Sequence, residues 1–377
     1  MKFSIACDEF AQVLARLQGF LGKKAGSSLS SVLSNVLLDV NNNGILTLSA
    51  TDLEISFHGQ LTVQNATEGS LCVDGKRLYA MIKQLPEEEV HIEVNEKQEL
   101  MLTSGWSEIA LAGLDAQEFP HIEMNTDAEF FAVKGGMICE LFERCFFSSS
   151  SEESRPNLNG VYFQCIAGQG IRTVTTDGHR LTIIERDATL DGVQVPQLDG
   201  KIIPRKAVSE LKRLLEEYPE VDLAFSEQNL MVKTQDFTLM IRLIADTFPD
   251  YQSAVPKSNH LSFVFDRSSL LKTLKRMGLV GEDKRQHGVR LDFQGDEVLL
   301  ESHNANLGKV NERIKLQQGS SDQDMMVAFS VQYMIDVLTV IRGQYVEMHL
   351  AQTGKQAGIF KDPENEADVF VVMPRRL

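Results

Sequence analysis

The strongest constraint on this chain is that one pattern is written three times. The unit runs to about 125 residues, too long for a solenoid repeat and close to the size of a domain. The 377 residues should therefore divide into three similar modules, near 1–125, 126–255 and 256–377. Each unit opens with a short apolar alternation followed by apolar residues at helical spacing. Phe3 and Ile5 precede Phe10, Val13, Leu14 and Leu17, with Asp8 as the expected N-cap. Phe131 and Val133 precede Ile138, Leu141, Phe142 and Cys145, and Phe263 and Phe265 precede Leu270, Leu271 and Leu274.

A pair of strands follows in every unit. Val36 to Val40 turns at Asn43-Gly44 and returns through Ile45 to Leu48, ending at Thr51-Asp52. Its counterparts run from Leu158 to Phe163, turning near Gly168-Gln169-Gly170 and ending at Thr176-Asp177, and from Gly288 to Phe293, turning at Gly295-Asp296. Second helices are expected at Leu78, Met81, Ile82 and Leu85, at Val208, Leu211 and Leu214 with Pro204 in the first turn, and at Met334, Val337, Leu338 and Ile341 after Ser330. The units close at Phe119-Pro120, Phe248-Pro249 and Met373-Pro374. Three α+β domains in tandem follow, each with two helices and paired antiparallel sheets. Linkers are expected over 121–126 and 253–259, and an exposed polar loop over 317–323.

Composition narrows the class. Hydrophobic residues at 43% with 24% charged residues describe a globular chain. No apolar run is long enough to cross a bilayer, and Met1 to Ile5 leads directly into patterned sequence, so a cytoplasmic protein with no membrane partner is expected. Five cysteines without C-x-x-C spacing read as small buried hydrophobes, and the eight histidines lack ligand spacing; no metal and no cofactor is expected. A formal charge of −16 argues against nucleic acid only on average. What matters is whether the bases share one face. The helix faces are basic: Arg205, Lys206, Lys212 and Arg213 surround the single acid Glu210, and the other units offer Lys76, Arg77 and Lys83, Lys272, Lys275 and Arg276, and Lys23-Lys24. With little aromatic interleaving, such faces suit the phosphates of duplex DNA without sequence reading.

Thr176-Asp177-Gly178-His179-Arg180-Leu181 places a turn at the end of a strand, with an imidazole, a guanidinium and an aliphatic side chain together at the mouth of a sheet. That mixture suits a binding pocket. An enzyme using Asp177 and His179 would need a nucleophile or metal set, and no Gly-rich phosphate loop, H-E-x-x-H or G-x-S-x-G is present. A three-domain scaffold that binds only proteins, with the basic helix faces incidental, is the remaining rival.

Leu158-Asn159-Gly160, Thr173 through Leu181, Ile203-Pro204-Arg205-Lys206, Phe248-Pro249-Asp250-Tyr251 and Val371 through Leu377 lie in the order and spacing of one family. On these residues the chain resembles the bacterial DNA polymerase III beta subunit, the sliding clamps. The resemblance implies the DNA clamp fold: a head-to-tail homodimer ring of six similar domains around duplex DNA, with helices lining the hole. It implies Lys24, Arg205 and Lys206 as the first DNA-facing residues, with Lys76, Arg77 and Lys212 beside them. It further implies a pocket for partner peptides made by Leu158, Thr176, Gly178, His179, Arg180, Leu181, Pro249, Val371, Met373, Pro374, Arg376 and Leu377. The implied partners are the replicative DNA polymerase alpha subunit, the clamp loader delta subunit and other proteins with a clamp-binding motif. Arg375 stands where an apolar residue is expected and Ser253 where a basic one is common, which bears on peptide preference. Ring closure should use Ile109 and Leu111 against Leu279 and Val280.

Overall fold

A computed structural model describes residues 1–22, 32–122, 129–188, 194–281 and 287–376, with the backbone alone for 321–324. Six α-helices lie among the described residues, two per repeat: α1 (Cys7–Leu17), α2 (Gly75–Ile82), α3 (Gly135–Cys145), α4 (Arg205–Leu215), α5 (Arg267–Met277) and α6 (Val331–Val340). The apolar spacing sets their inner faces; α1 buries Phe10, Val13, Leu14 and Leu17.

Helix ends differ from expectation in three places. Asp8 is not the N-cap of α1. The cap is Ala6, and Asp8 and Glu9 occupy the first turn, where carboxylates meet the positive end of the helix dipole. Helix α2 is capped by Asp74, which accepts from the Arg77 N–H at 2.9 Å, and it stops at Ile82. Leu85 therefore lies beyond it. Pro204 closes the strand Leu198–Pro204 ahead of α4 instead of sitting in the helix's first turn. In the third repeat, the expected loop is exposed over 317–320, but the strand Ser321–Ser330 takes the remainder.

The chain forms two compact units, Met1–Gly135 with Arg213–Leu243, and Gly136–Lys212 with the residues from Ile244 onward. They cut the central repeat in two because strand pairing crosses the repeat boundaries. In the first unit Ile55–Thr62 pairs with Phe237–Arg242, Phe57 opposite Leu239, within a 13-stranded sheet. Phe57 also stacks between Phe20 at 5.6 Å and Phe237 at 5.4 Å. In the second unit Arg180–Arg186 pairs with Asn365–Val372, Leu181 opposite Val371, within an 8-stranded sheet. A 4-stranded sheet of the third repeat completes it. All these pairings are antiparallel.

The repeat extends to single atoms in one turn. Asp52 Oδ1 accepts from the N–H groups of Glu54 and Ile55 at 3.0 and 2.8 Å, Asp177 Oδ1 from those of His179 and Arg180 at 2.9 and 3.1 Å, and Asn304 Oδ1 from those of Asn306 and Leu307 at 2.8 and 3.1 Å. These are Asx turns. The threonine before the aspartate adds a second brace, since Thr51 Oγ1 accepts from Leu53 N–H at 3.0 Å and Thr176 Oγ1 from Gly178 N–H at 3.1 Å. Gly178 has φ 88°, which glycine adopts freely. Its first-repeat counterpart Leu53 has φ 75° and is 51% exposed. Leu53→Gly is therefore expected to stabilise the protein by about 0.5–1 kcal/mol, because relief of left-handed strain exceeds the added unfolded-state entropy. A lower urea midpoint in the variant would contradict this.

Candidate functional site

The hairpin Gly170–Thr176 and Arg180–Arg186 carries the hexapeptide at its turn. Asp177 orders the turn, and its second carboxylate oxygen accepts from Arg180 Nε at 3.0 Å. Arg180 Nη2 donates to the Phe147 carbonyl at 2.6 Å, and Nη1 to Asp336 on α6. The guanidinium lies 5.1 Å from the Phe147 ring centroid and 4.4 Å from that of Tyr333. Arg180 is therefore a bracing residue, held by its own ion pairs and ring contacts. His179 is the exposed one, stacked on Tyr333 with centroids 6.4 Å apart and planes 23° apart.

Beneath them the strand pairing brings Leu181 and Val371 together. Both belong to a cluster with Val174, Ile183, Phe248 and Ile359, against which Tyr162 and Tyr251 pack. Tyr162 stacks on Phe248 at 4.6 Å. The backbone continues the match at the rim, where Met373 N–H donates to the His179 carbonyl at 2.9 Å, and the Met373 side chain is 50% exposed. Pro249, next to Phe248, and Arg376 are exposed, and Pro374 is half-buried. Leu158 is buried but outside the cluster, and Leu377 lies outside the described residues. Sequence reasoning missed Tyr333, Asp336 and Phe147. The available signal was the i, i+3 spacing of Tyr333 and Asp336 on α6.

Behind these strands lies a charged cluster of the second unit, in which Arg144, Asp362 and Asp368 are buried. Arg144 of α3, 2% exposed, reaches Asp368 at 2.7 Å and Asp362 at 3.3 Å, and Arg186 joins Asp368 and Glu140 at 2.7 Å each. Burial raises the Asp368 carboxyl, against the pull of Arg186 and Arg144. Burial acts the same way on Glu140, but Arg186, Arg342 and Arg144 outweigh it and hold that carboxyl below its ordinary value. The cysteines are all free and buried, and burial pushes the thiols of Cys72, Cys145 and Cys165 up to about 12.

The expected DNA-facing set divides by exposure. Lys76, Arg77 and Lys206 are exposed. Arg205 is not presented to solvent in the way its position suggested. Its Nη1 donates to the carbonyls of Phe146 at 3.2 Å and Ser149 at 3.0 Å, and the guanidinium sits 4.1 Å from the Phe146 centroid. Burial and then the charge of Arg180 hold it below its usual pKa. Lys212 Nζ covers the same ring at 5.1 Å. Lys24 lies outside the described residues.

Of the expected self-association residues, Leu279 is 80% exposed and Val280 half-buried. Ile109 is half-buried, whereas Leu111, two residues on and so on the same face of the strand, is a core residue at 8% exposure. Their strand, Ser107–Leu114, pairs with Glu99–Ser104 along its length but with Gly69–Asp74 only at Gly113 and Leu114. Its other edge is unpaired from Ser107 to Ala112 among the described residues. Trp106 beside it is fully exposed, at 100%.

Comparison with known proteins decides the family. Residues 1–123, 132–250 and 252–376 match, in order, the N-terminal, central and C-terminal domains of the DNA polymerase III beta subunit. The chain belongs to the DNA polymerase III beta subunit family, the sliding clamps. It is 30% identical to the beta sliding clamp of Pseudomonas aeruginosa, each chain covered over 100% of its length. A crystal structure of the Pseudomonas aeruginosa subunit superposes with a TM-score of 0.91 at 29% identity, and that of Caulobacter crescentus pol III beta with 0.91 at 27%, both covering 100% of each chain. The chain is thus an α+β protein of three tandem clamp domains, and it works as a sliding clamp, a DNA replication processivity factor with no catalytic centre of its own. DNA, a further copy of itself and polymerase partners are what a member of this family engages. Among the described residues no helix is long and apolar enough to cross a membrane, and no His, Cys, Asp and Glu group could hold a metal ion.

Proposed function

We propose that two copies of this chain close head to tail around duplex DNA and hold their partners by peptides seated over Leu181 and Val371. The domains would be 1–125, 126–255 and 256–377, a division supported by the spans of the three family matches. The observation that carries the reading is the buried Leu181–Val371 floor capped by exposed His179 and Met373: a partner Leu or Phe placed there gains roughly 1.5–3 kcal/mol. Leu158, Thr176, Gly178, Pro249, Pro374 and Arg376 would complete the pocket's periphery, with Arg180 as its brace; Leu377, the last of the expected set, lies outside the described residues. The occupants are the replicative polymerase alpha subunit, the clamp loader delta subunit and other proteins carrying a clamp-binding motif, in the cytoplasm at the nucleoid.

Ring closure would pair the open edge of Ser107–Leu114, with Ile109 and Trp106, against Leu279 and Val280 of the second copy, since an unpaired strand edge is a template for another chain. Lys76, Arg77 and Lys206 would meet phosphates through a salt-screened field that permits sliding. The test is retention on nicked circular DNA after loading by a clamp loader. The protein should stay on the circle in salt that strips surface binders, and leave when the circle is cut. Lys76→Glu with Arg77→Glu and Lys206→Glu should lower the loaded fraction about tenfold at low salt. Equal retention on linear and circular DNA would favour a scaffold that does not encircle.

A further inference from the structure

The pocket does not end at Met373. A groove of ≈ 1150 Å³ continues from it between residues 253–258, 354–357 and 373–376. Its apolar surface includes Val255, Pro256 and Ala357, and both Val255 and Ala357 pack in the same cluster as Leu181 and Val371. Groove and pocket therefore share one floor. The walls differ in charge from the rest of the molecule: Lys257, Lys355, Arg375 and Arg376 line the groove, and none of its lining residues is an acid, in a chain with 53 acids against 37 bases. Lys257, Lys355 and Arg376 are exposed. The two departures from the family pattern, Arg375 and Ser253, both stand here.

We propose that the groove receives aspartate or glutamate side chains of the partner segment, next to the apolar anchors that enter the pocket. This rests on the pocket assigned above and names the peptide preference that the departures alter. Carboxylates gain charge-assisted hydrogen bonds to lysine and arginine, and the local positive field speeds encounter. A single nucleic-acid strand is the weaker fit, because no aromatic ring lines the groove to stack a base.

The test uses the full chain and fluorescent peptides that share one set of Leu and Phe anchors, flanked on both sides by aspartates, asparagines or lysines, read by anisotropy. At low salt the aspartate peptide should bind about tenfold tighter than the asparagine peptide and the lysine peptide about tenfold weaker, with the gap closing as salt rises. Lys257→Glu with Lys355→Glu should erase the aspartate advantage and leave the asparagine peptide within about twofold. Equal binding of aspartate and asparagine peptides overturns the proposal while the pocket stands. Failure of every peptide overturns the pocket and the groove together. Displacement of the aspartate peptide by an oligonucleotide of equal charge, whether or not anchors are present, overturns it in favour of a general anion face.

Discussion

Arg144→Ala should cost the protein about 3–5 kcal/mol of stability, read as a lower urea midpoint. The guanidinium holds Asp368 and Asp362 where their side chains are 0% and 2% exposed, so its removal leaves carboxylates without water and short of a partner. Arg186 alone cannot replace it, being divided already between Asp368 and Glu140. The cluster also has a pH signature. Glu140 is held below its unfolded value of about 4.3, so its contribution is complete above that pH and is lost as pH falls through the folded value. Asp368 is raised and acts in the opposite sense, favouring the fold at low pH and ceasing to do so as pH rises through its folded value. Glu140→Gln should accordingly flatten the acid side of the stability profile. A loss below about 1 kcal/mol for Arg144→Ala would mean that water reaches the carboxylates.

The second large effect is on recruitment. His179→Ala with Met373→Ala should weaken an anchored peptide roughly 100-fold, about 2.7 kcal/mol, because both side chains stand exposed over the apolar floor. The thermal midpoint should hardly move, since neither side chain is buried. Arg180→Ala should behave the other way. It strips a partner from Asp336, Asp177 and the Phe147 carbonyl, so the wall loosens and stability falls along with affinity. Peptide titration and thermal melting on the two variants separate contact from bracing. Unchanged affinity in the His179/Met373 variant would remove the peptide pocket from this face.

The triplication, the helix stripes and the Thr-Asp turn were legible in sequence because each depends on local chemistry: apolar period, Asx capping and positive φ. The third copy of the turn was not. Asn304 performs the aspartate's role, and His303 stands where the other repeats place threonine, so only hydrogen bonds reveal the match. Arg205 and Leu111 show a different limit. A basic residue at the start of a helix looks the same in sequence whether it faces solvent or folds back on Phe146, and an apolar residue looks the same in an interface or a core. Three-dimensional neighbours decide such cases. The division of the central repeat between two compact units was likewise unreadable, because strand partners such as Phe57 and Leu239 are far apart along the chain.

The pairing of Arg180–Arg186 with Asn365–Val372 has a consequence during synthesis. A nascent chain that has not yet reached residue 365 keeps the edge of the 180–186 strand open and lacks Val371, half of the surface on which a partner would sit. With the pocket proposed above, such an unfinished polypeptide would not compete with finished molecules for partners, whatever its earlier repeats have achieved. Recruitment through that surface would thereby be reserved for chains that translation has carried through residues 365–372.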